Sequence, residues 1–390
     1  MDQTEIKKKY NSALKGLQEN TRLVHGFNQP VLCEGGVYAG IWQECGPLEG
    51  LVYAKQQPKV ALASHEIFFH HQREDGYIPC WINANAVGSH SIQMVVPIAA
   101  TSLELAELLK NESFLAKAYQ ACSDWDAWLS RNRNTRGTGL CEAFCHYDTG
   151  HDGSPRFDDK GMPWECPDND ASKPTHVMGL PYLAPDLSAN VYGARVALSK
   201  MAEHLDKGAE SQMWLEKSEH TRALILKHCY DPEDECFYDV DAEGNFVRVR
   251  GDILTRIFGE HVVDQATFDR IYQRHIKNPE SFWTPYPLPS IAADDPAFIK
   301  HLPKNSWGGA SQALTALRTP RWFNHYGKTD DHQHLMERWV EAILKSPAFM
   351  QQMNPWTGEF STSEGYSPSM LVFIDFVDRL GLLKSSTTLP

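Results

Sequence analysis

The sequence predicts a mainly α-helical protein organised as one domain over residues 1–390. Two observations carry this expectation. Apolar residues recur at steps of three and four through much of the chain, the spacing of one helix face, while strand-like alternation is scarce. Between the periodic stretches run long segments holding most of the Gly, Pro and Trp, with no low-complexity linker or fixed-period repeat to divide the chain. In chain order, periodicity predicts helices over about 3–23, 57–72 and 92–110, then one carrying Phe114, Ala118, Ala121, Trp125 and Trp128. The clearest stripe follows at 187–205, where Leu187, Val191, Ala194, Leu198, Met201 and Leu205 share a face and Asp186 or Ser188 stands in capping position. Further helices are expected over 210–229, 264–276 and 308–318, around Leu335, Trp339 and Ala342, and over 367–381. Segments 24–56, 135–185, 230–262, 277–307 and 347–366 read as an elaborate loop face. Within them, Asp239-Val240-Asp241-Ala242-Glu243-Gly244 reads as a turn between two short strands.

Composition excludes several classes. With 42% hydrophobic and 22% charged residues the chain is globular. Its 50 acidic and 37 basic residues give a net charge of −13, and the only basic run is Lys7-Lys8-Lys9, so neither nucleic acid nor an anionic membrane is an expected partner. The start MDQTEIKKKY lacks the apolar core of a signal peptide and no long apolar run follows, so a soluble cytoplasmic protein is expected. Nine irregularly spaced cysteines suit reduced thiols better than a disulfide framework. The 11 Trp, 14 Tyr and 17 Phe, with 17 His, fit either a large core or a cleft whose aromatic faces meet the apolar faces of a sugar.

The densest chemical segment is Tyr147-Asp148-Thr149-Gly150-His151-Asp152-Gly153-Ser154-Pro155-Arg156-Phe157-Asp158-Asp159. Carboxyls held close together and buried raise one another's pKa, which keeps an acid protonated near neutral pH, although Asp-Gly and Ser-Pro are also ordinary turn sequences. No phosphate-binding glycine loop or dinucleotide fingerprint occurs, so no cofactor is expected. Neither Cys141, Cys145 and His146 nor the pair His70-His71 has zinc-ligand spacing, and Asp148, Asp152, Asp158 and Asp159 lack the alternation of a calcium loop, so no metal is expected.

An ordered set of segments then matters more than any one motif. "REDGYIPCWI", "SHSIQMVVPIAATSLELAELL", "HDGSPRFDD", "LAPDLSANVYGARVALSKMAEHL", "CFYDVDAEG", "FWTPYPLPSIAADDPAF", "NSWGGASQAL", "NPWTGEF" and "EGYSPSMLVFIDFVDRLGLL" together resemble the (α/α)6-barrel glycoside hydrolases of the trehalase and processing α-glucosidase type, families 37 and 63, over residues 60–383. The resemblance implies a toroid of six inner and six outer helices with the site in loops and short strands at one end. It also implies inverting hydrolysis of an α-linked sugar in a small oligosaccharide or glycoside, with no metal in the chemical step. Asp152 matches the families' general acid. Their general base is a Glu three residues before Asn-Pro, where this chain has Gln351 ahead of Asn354-Pro355. An amide is no base, so Glu364 is expected to replace it, with Glu359, Glu34 and Glu44 as alternatives. Trp81, Gln93, Asn190 and Trp307 match cleft positions. Trp42 belongs to a loop that faces substrate or merely holds structure, and Arg156 either contacts sugar or pairs with Asp158 or Asp159.

Two other readings remain open at this level. Sugar 2-epimerases share the barrel and use His as acid and base, and loss of the base would also suit a sugar-binding protein without turnover. In each reading the partner is a small carbohydrate; the sequence leaves the oligomeric state open.

Overall fold

Burial separates the helices into two kinds. The computed structural model describes residues 2–175, 177, 179–300 and 307–383, with the backbone alone for 158–160. Its α-helices are α1 (Gln3–Asn20), α2 (Gly46–Tyr53), α3 (Pro58–His70), α4 (Ile98–Leu109), α5 (Glu112–Asn132), α6 (Pro185–His204), α7 (Gly208–His228), α8 (Ile253–Gly259), α9 (Gln265–Ile271), α10 (Ala313–Phe323), α11 (Thr329–Lys345) and α12 (Ser367–Arg379). In α7 only Trp214, Ser218, Thr221 and Ile225 are buried, a single stripe at helical spacing. In α12 every residue from Ser367 to Val377 is buried. A helix with one stripe needs one neighbour, whereas a helix buried all round needs neighbours on every side.

The contacts fit that division. The even-numbered helices touch in the order α2, α4, α6, α8, α10, α12, and α12 returns to α2, closing a ring of six. Odd-numbered helices lie against it, with α1 on α12, α3 on α2, α5 on α4 and α6, α7 on α6, and α11 on α10 and α12. This is the toroid the sequence resemblance implies.

Several expectations are corrected. Inner helices α2 and α8 lie inside segments read as loops, because each is short and buried on all sides and so shows no amphipathic stripe. Residues 92–97 precede α4 as irregular chain rather than belonging to it, and α10 starts at Ala313 rather than near 308. Neither Asp186 nor Ser188 caps α6: Ala184 is its N-cap and Pro185 opens it, while Asp186 is taken by arginines and the Ser188 hydroxyl receives the Cys141 amide.

Short strands join the inner-helix ends. Gly40–Trp42, Trp81–Asn83 and Val87–Gly88 form one small sheet with Trp42 opposite Trp81. Asp239–Val240 pairs antiparallel with Phe246–Val247, as the turn sequence suggested. Gln352–Met353 lies between Ser311–Gln312 and Phe360–Ser361, which fixes Gln351 at the edge of that sheet. Much of the aromatic content fills the interior, with Trp128, Trp322 and Trp339 fully buried. All nine cysteines are free and buried, and no described helix is long and apolar enough to cross a membrane.

Candidate active site

The loop bearing Asp152 is fixed before the chemistry begins. Asp148 is fully buried and receives Arg133 on both carboxylate oxygens at 2.9 and 3.2 Å, together with the backbone amides of Ile92, Phe144 and Cys145. Cys145 and Cys166 stand within 4.8 Å of Asp148, but the guanidinium on that carboxylate opposes a cation there. Gly150 follows with φ 65°, and a Cβ at this position would lie 1.9 Å from Glu44 Oε2. Glycine therefore allows the acid-bearing turn and the Glu44 loop to approach each other.

Beside this turn lies a closed network of arginines and aspartates. Arg156 donates to Asp186 at 2.8 and 3.1 Å, to Asp239 at 2.8 and 2.6 Å and to His151 Nδ1 at 2.8 Å. With Nδ1 accepting, the His151 ring carries its proton on Nε2 and donates it to Asp252 at 3.3 Å. Burial and the neighbouring Arg256 and Arg156 charges lower His151 to about 3, so the ring is neutral. Arg256 and Arg318 complete the charge around Asp252. Although burial alone would raise them, Asp186 and Asp252 are held far below the usual carboxylate range, Asp186 by Arg156 and Arg256 and Asp252 chiefly by Arg318. Asp239, which shares Arg156 with Asp186, is raised to about 6 because burial outweighs that partner.

The second group of acids has no such partners. Burial raises Asp152 to about 7 against the opposing charge of Arg256, and its Oδ1 is buried without a hydrogen-bond partner. Glu34 and Glu44 present oxygens within 4.8 Å of each other, and both are pushed well above the usual range by burial and by neighbouring carboxylates, Asp152 among them. Tyr366 donates to Glu34 at 2.7 Å, while Glu44, half-buried, has Gln93 and Arg256 on its side. Behind them Glu49, in the first turn of α2, rises to about 8 through burial and faces only the weak donor of Cys45. Arg256 Nη2 is also buried without a partner, and its guanidinium carbon lies 5.7 Å from the Trp307 ring centre.

The residues expected from sequence fall into three groups. Asp152, Glu34, Glu44 and Gln93 meet in this acid cluster. Trp42 and Trp307 pack with Cys45 and Leu314, and Trp307 also meets His151 at 4.8 Å. Trp81, half-buried, pairs with Trp42 and donates from Nε1 to His90 at 2.9 Å. Other residues are placed differently from the expectation. Glu364 and Glu359 are both exposed, since the chain between the Phe360–Ser361 strand and α12 turns outward at Glu364 and its peptide oxygen meets Gly36. Arg156 is engaged by Asp186 and Asp239; the side chains of Asp158 and Asp159 lie outside the described residues. Asn190 lines a cavity of about 10 Å³ among α4, α5 and α6, walled largely by apolar side chains. Gln351 is buried with Tyr38 donating to Oε1 at 3.2 Å, and Tyr38 in turn lies near Glu34. Sequence reading missed Arg256, Glu49, Tyr38 and Tyr366. Arg256 sits in the hidden helix α8, and nothing local marks it.

A helical toroid whose end loops gather protonatable carboxyls beside tryptophans suits a glycoside hydrolase, and the family model gives that class. The chain belongs to the mannosylglycerate hydrolase MGH1-like glycoside hydrolase domain family, whose model matches residues 51–369. Glu34, Glu44 and Glu49 precede that match. No curated protein shows a significant sequence match. Among solved structures, the mannosylglycerate hydrolase of Thermus thermophilus in complex with Tris and D-glycerate is similar with a TM-score of 0.78 and 17% identity, covering 95% of this chain and 100% of that one. Its complex with glucose gives 0.75 and 18%, covering 93% and 99%. Neutral trehalase from Saccharomyces cerevisiae gives 0.69 and 13%, covering 91% and 74%.

Proposed function

We propose that this chain hydrolyses an α-linked sugar in a small glycoside with inversion of the anomeric centre, with Asp152 as general acid and Glu44 as general base. The observation that carries the reading is Asp152, half-buried with its Oδ1 sealed and without a partner among the described residues, and raised to about 7, so that a substantial share keeps its proton near neutral pH. In the reaction Asp152 gives that proton to the glycosidic oxygen as the bond from the anomeric carbon to the leaving group breaks. Water loses a proton to Glu44 and its oxygen bonds the anomeric carbon from the opposite face.

Glu44 suits the base role better than Glu34. It is half-buried rather than sealed, and Arg256 and Gln93 favour its ionised form. Glu34 lies so near that the two carboxyls cannot both ionise freely, and a proton kept on Glu34 leaves Glu44 ionised to accept one from water. This pair takes over from the amide at Gln351. Similarity to a hydrolase crystallised with D-glycerate and with glucose supports a small glycoside as substrate. Epimerisation by His151 has less support, because both ring nitrogens are engaged.

The test follows 4-nitrophenyl α-glucoside and α-mannoside by NMR. The β-anomer of the sugar should appear first, and activity should follow a bell in pH, rising as Glu44 ionises and falling above about 7, where Asp152 loses its proton. An initial α-anomer would overturn inversion. Saturable sugar binding without turnover of either glycoside would leave a binding protein.

A further inference from the structure

The proton donor also locates the leaving group, which must lie on the Asp152 side of the bond being cut. Beside the residue that follows Asp152 stands Trp164. A Cβ at Gly153, the residue after Asp152, would stand 3.4 Å from Trp164 Cη2. Trp164 is 52% exposed. The indole is held in place. His146 stacks on one face at 4.6 Å and 22°, and Tyr147 meets the ring at 5.8 Å. Backbone bonds from His146 to Pro163 at 3.0 Å and from Tyr147 to Trp164 at 3.2 Å fix the two loop segments together. Tyr147 lies within reach of the Asp152 charge, contacts His90 at 5.3 Å, and through it joins Trp81. Partly exposed rings thus run from the indole beside the acid through Tyr147 and His90 to Trp81, and His146 holds one face of that indole in place.

We propose that Trp164 is the stacking platform of a leaving-group subsite, and that the substrates of this chain carry a ring, a second sugar or an aryl group, as aglycone rather than only a short acid chain. This rests on the reading of Asp152 as the acid. The apolar face of a pyranose or an aryl ring lies flat on an indole, whereas a three-carbon acid offers no such face. A fixed ring loses little entropy on binding, so it suits a recognition surface.

The experiment compares Trp164→Ala and Trp164→Phe with the wild type on 4-nitrophenyl α-glycosides and on α-glycosyl fluorides, in the gluco and manno series. The fluorides have the same sugar and no ring to stack. Trp164→Ala should lower kcat/KM for the aryl glycosides by roughly three- to tenfold, leave the fluorides unchanged, and be largely corrected by Trp164→Phe. Equal losses on both substrates, or none on either, overturn the platform. Calorimetric titration separates this from the hydrolase reading: the wild type should bind the 4-nitrophenyl more tightly than the methyl α-glycoside, and Trp164→Ala should abolish the preference. Turnover of no glycoside or fluoride would end the hydrolase reading while leaving that titration decisive. An absent preference in the wild type overturns the subsite.

Discussion

Asp186, buried, and Asp152, half-buried with Oδ1 sealed, stand at the same end of one barrel, yet they are driven in opposite directions. Asp186 receives two oxygens' worth of hydrogen bonds from Arg156 and a third from Arg256, and stays ionised at any ordinary pH. Asp152 feels Arg256 only at longer range, has an oxygen with no partner, and rises to about 7. Asp239, with half a share of Arg156, falls between them. Burial pushes all three upward, so the supply of fixed cationic donors decides whether such an acid serves as an anchor or as a proton carrier.

That contrast can be broken at several points. The largest effect is expected in the group without partners. Asp152→Asn and Glu44→Gln should each lower kcat by about 10²–10⁴-fold on glycosides with poor leaving groups while sugar binding survives, because each amide keeps the shape and removes the proton chemistry. If either variant retained full turnover, the corresponding role would be lost.

The same kind of change in the satisfied group should strike stability instead. Arg156→Met leaves Asp186 and Asp239 without their shared cation and should cost about 3–5 kcal/mol, read by urea unfolding. A variant as stable as the wild type would show that the network is not needed to hold those charges.

Glu49 sharpens the comparison through pH. Its folded pKa, about 8, stands above its ordinary value, so folding favours the protonated acid. The stabilisation linked to that proton is complete at low pH and is lost as pH rises through about 8. Glu49→Gln removes the titration, so its melting temperature relative to wild type should be higher at pH 9 than at pH 5, by an amount matching at least about 1 kcal/mol. A difference independent of pH would place the carboxyl in water rather than in the interior.

The smallest effect is expected at Glu364. Being exposed, its replacement by Gln should change stability by no more than about 0.5 kcal/mol and leave turnover of the aryl glycosides close to wild type. A large loss of kcat there would return the base to the position expected from sequence and remove Glu44.

Much of this was legible in the chain. Outer helices announce themselves because they bury one stripe and leave the rest in water; Trp214, Ser218, Thr221 and Ile225 in α7 are such a stripe. The loop that carries Asp152 was legible as well, because it is a compact run of Asp, Gly and Pro whose order matches a family pattern. Helices α2 and α8 were not, since total burial erases the periodic signal on which a helix is recognised. Arg256 was hidden with α8.

The sequence by itself determined the helical class, the family resemblance, the acid loop and the absence of a carboxylate at Gln351. It could not say what replaces that carboxylate. Glu34 and Glu44 stand far from Asp152 along the chain, and only closure of α12 onto α2 brings their loop to Tyr366, Gln351 and the acid turn. The protonation of these groups was decided there too, because a pKa reports the donors and charges packed around a carboxyl in three dimensions, and local sequence does not encode that environment.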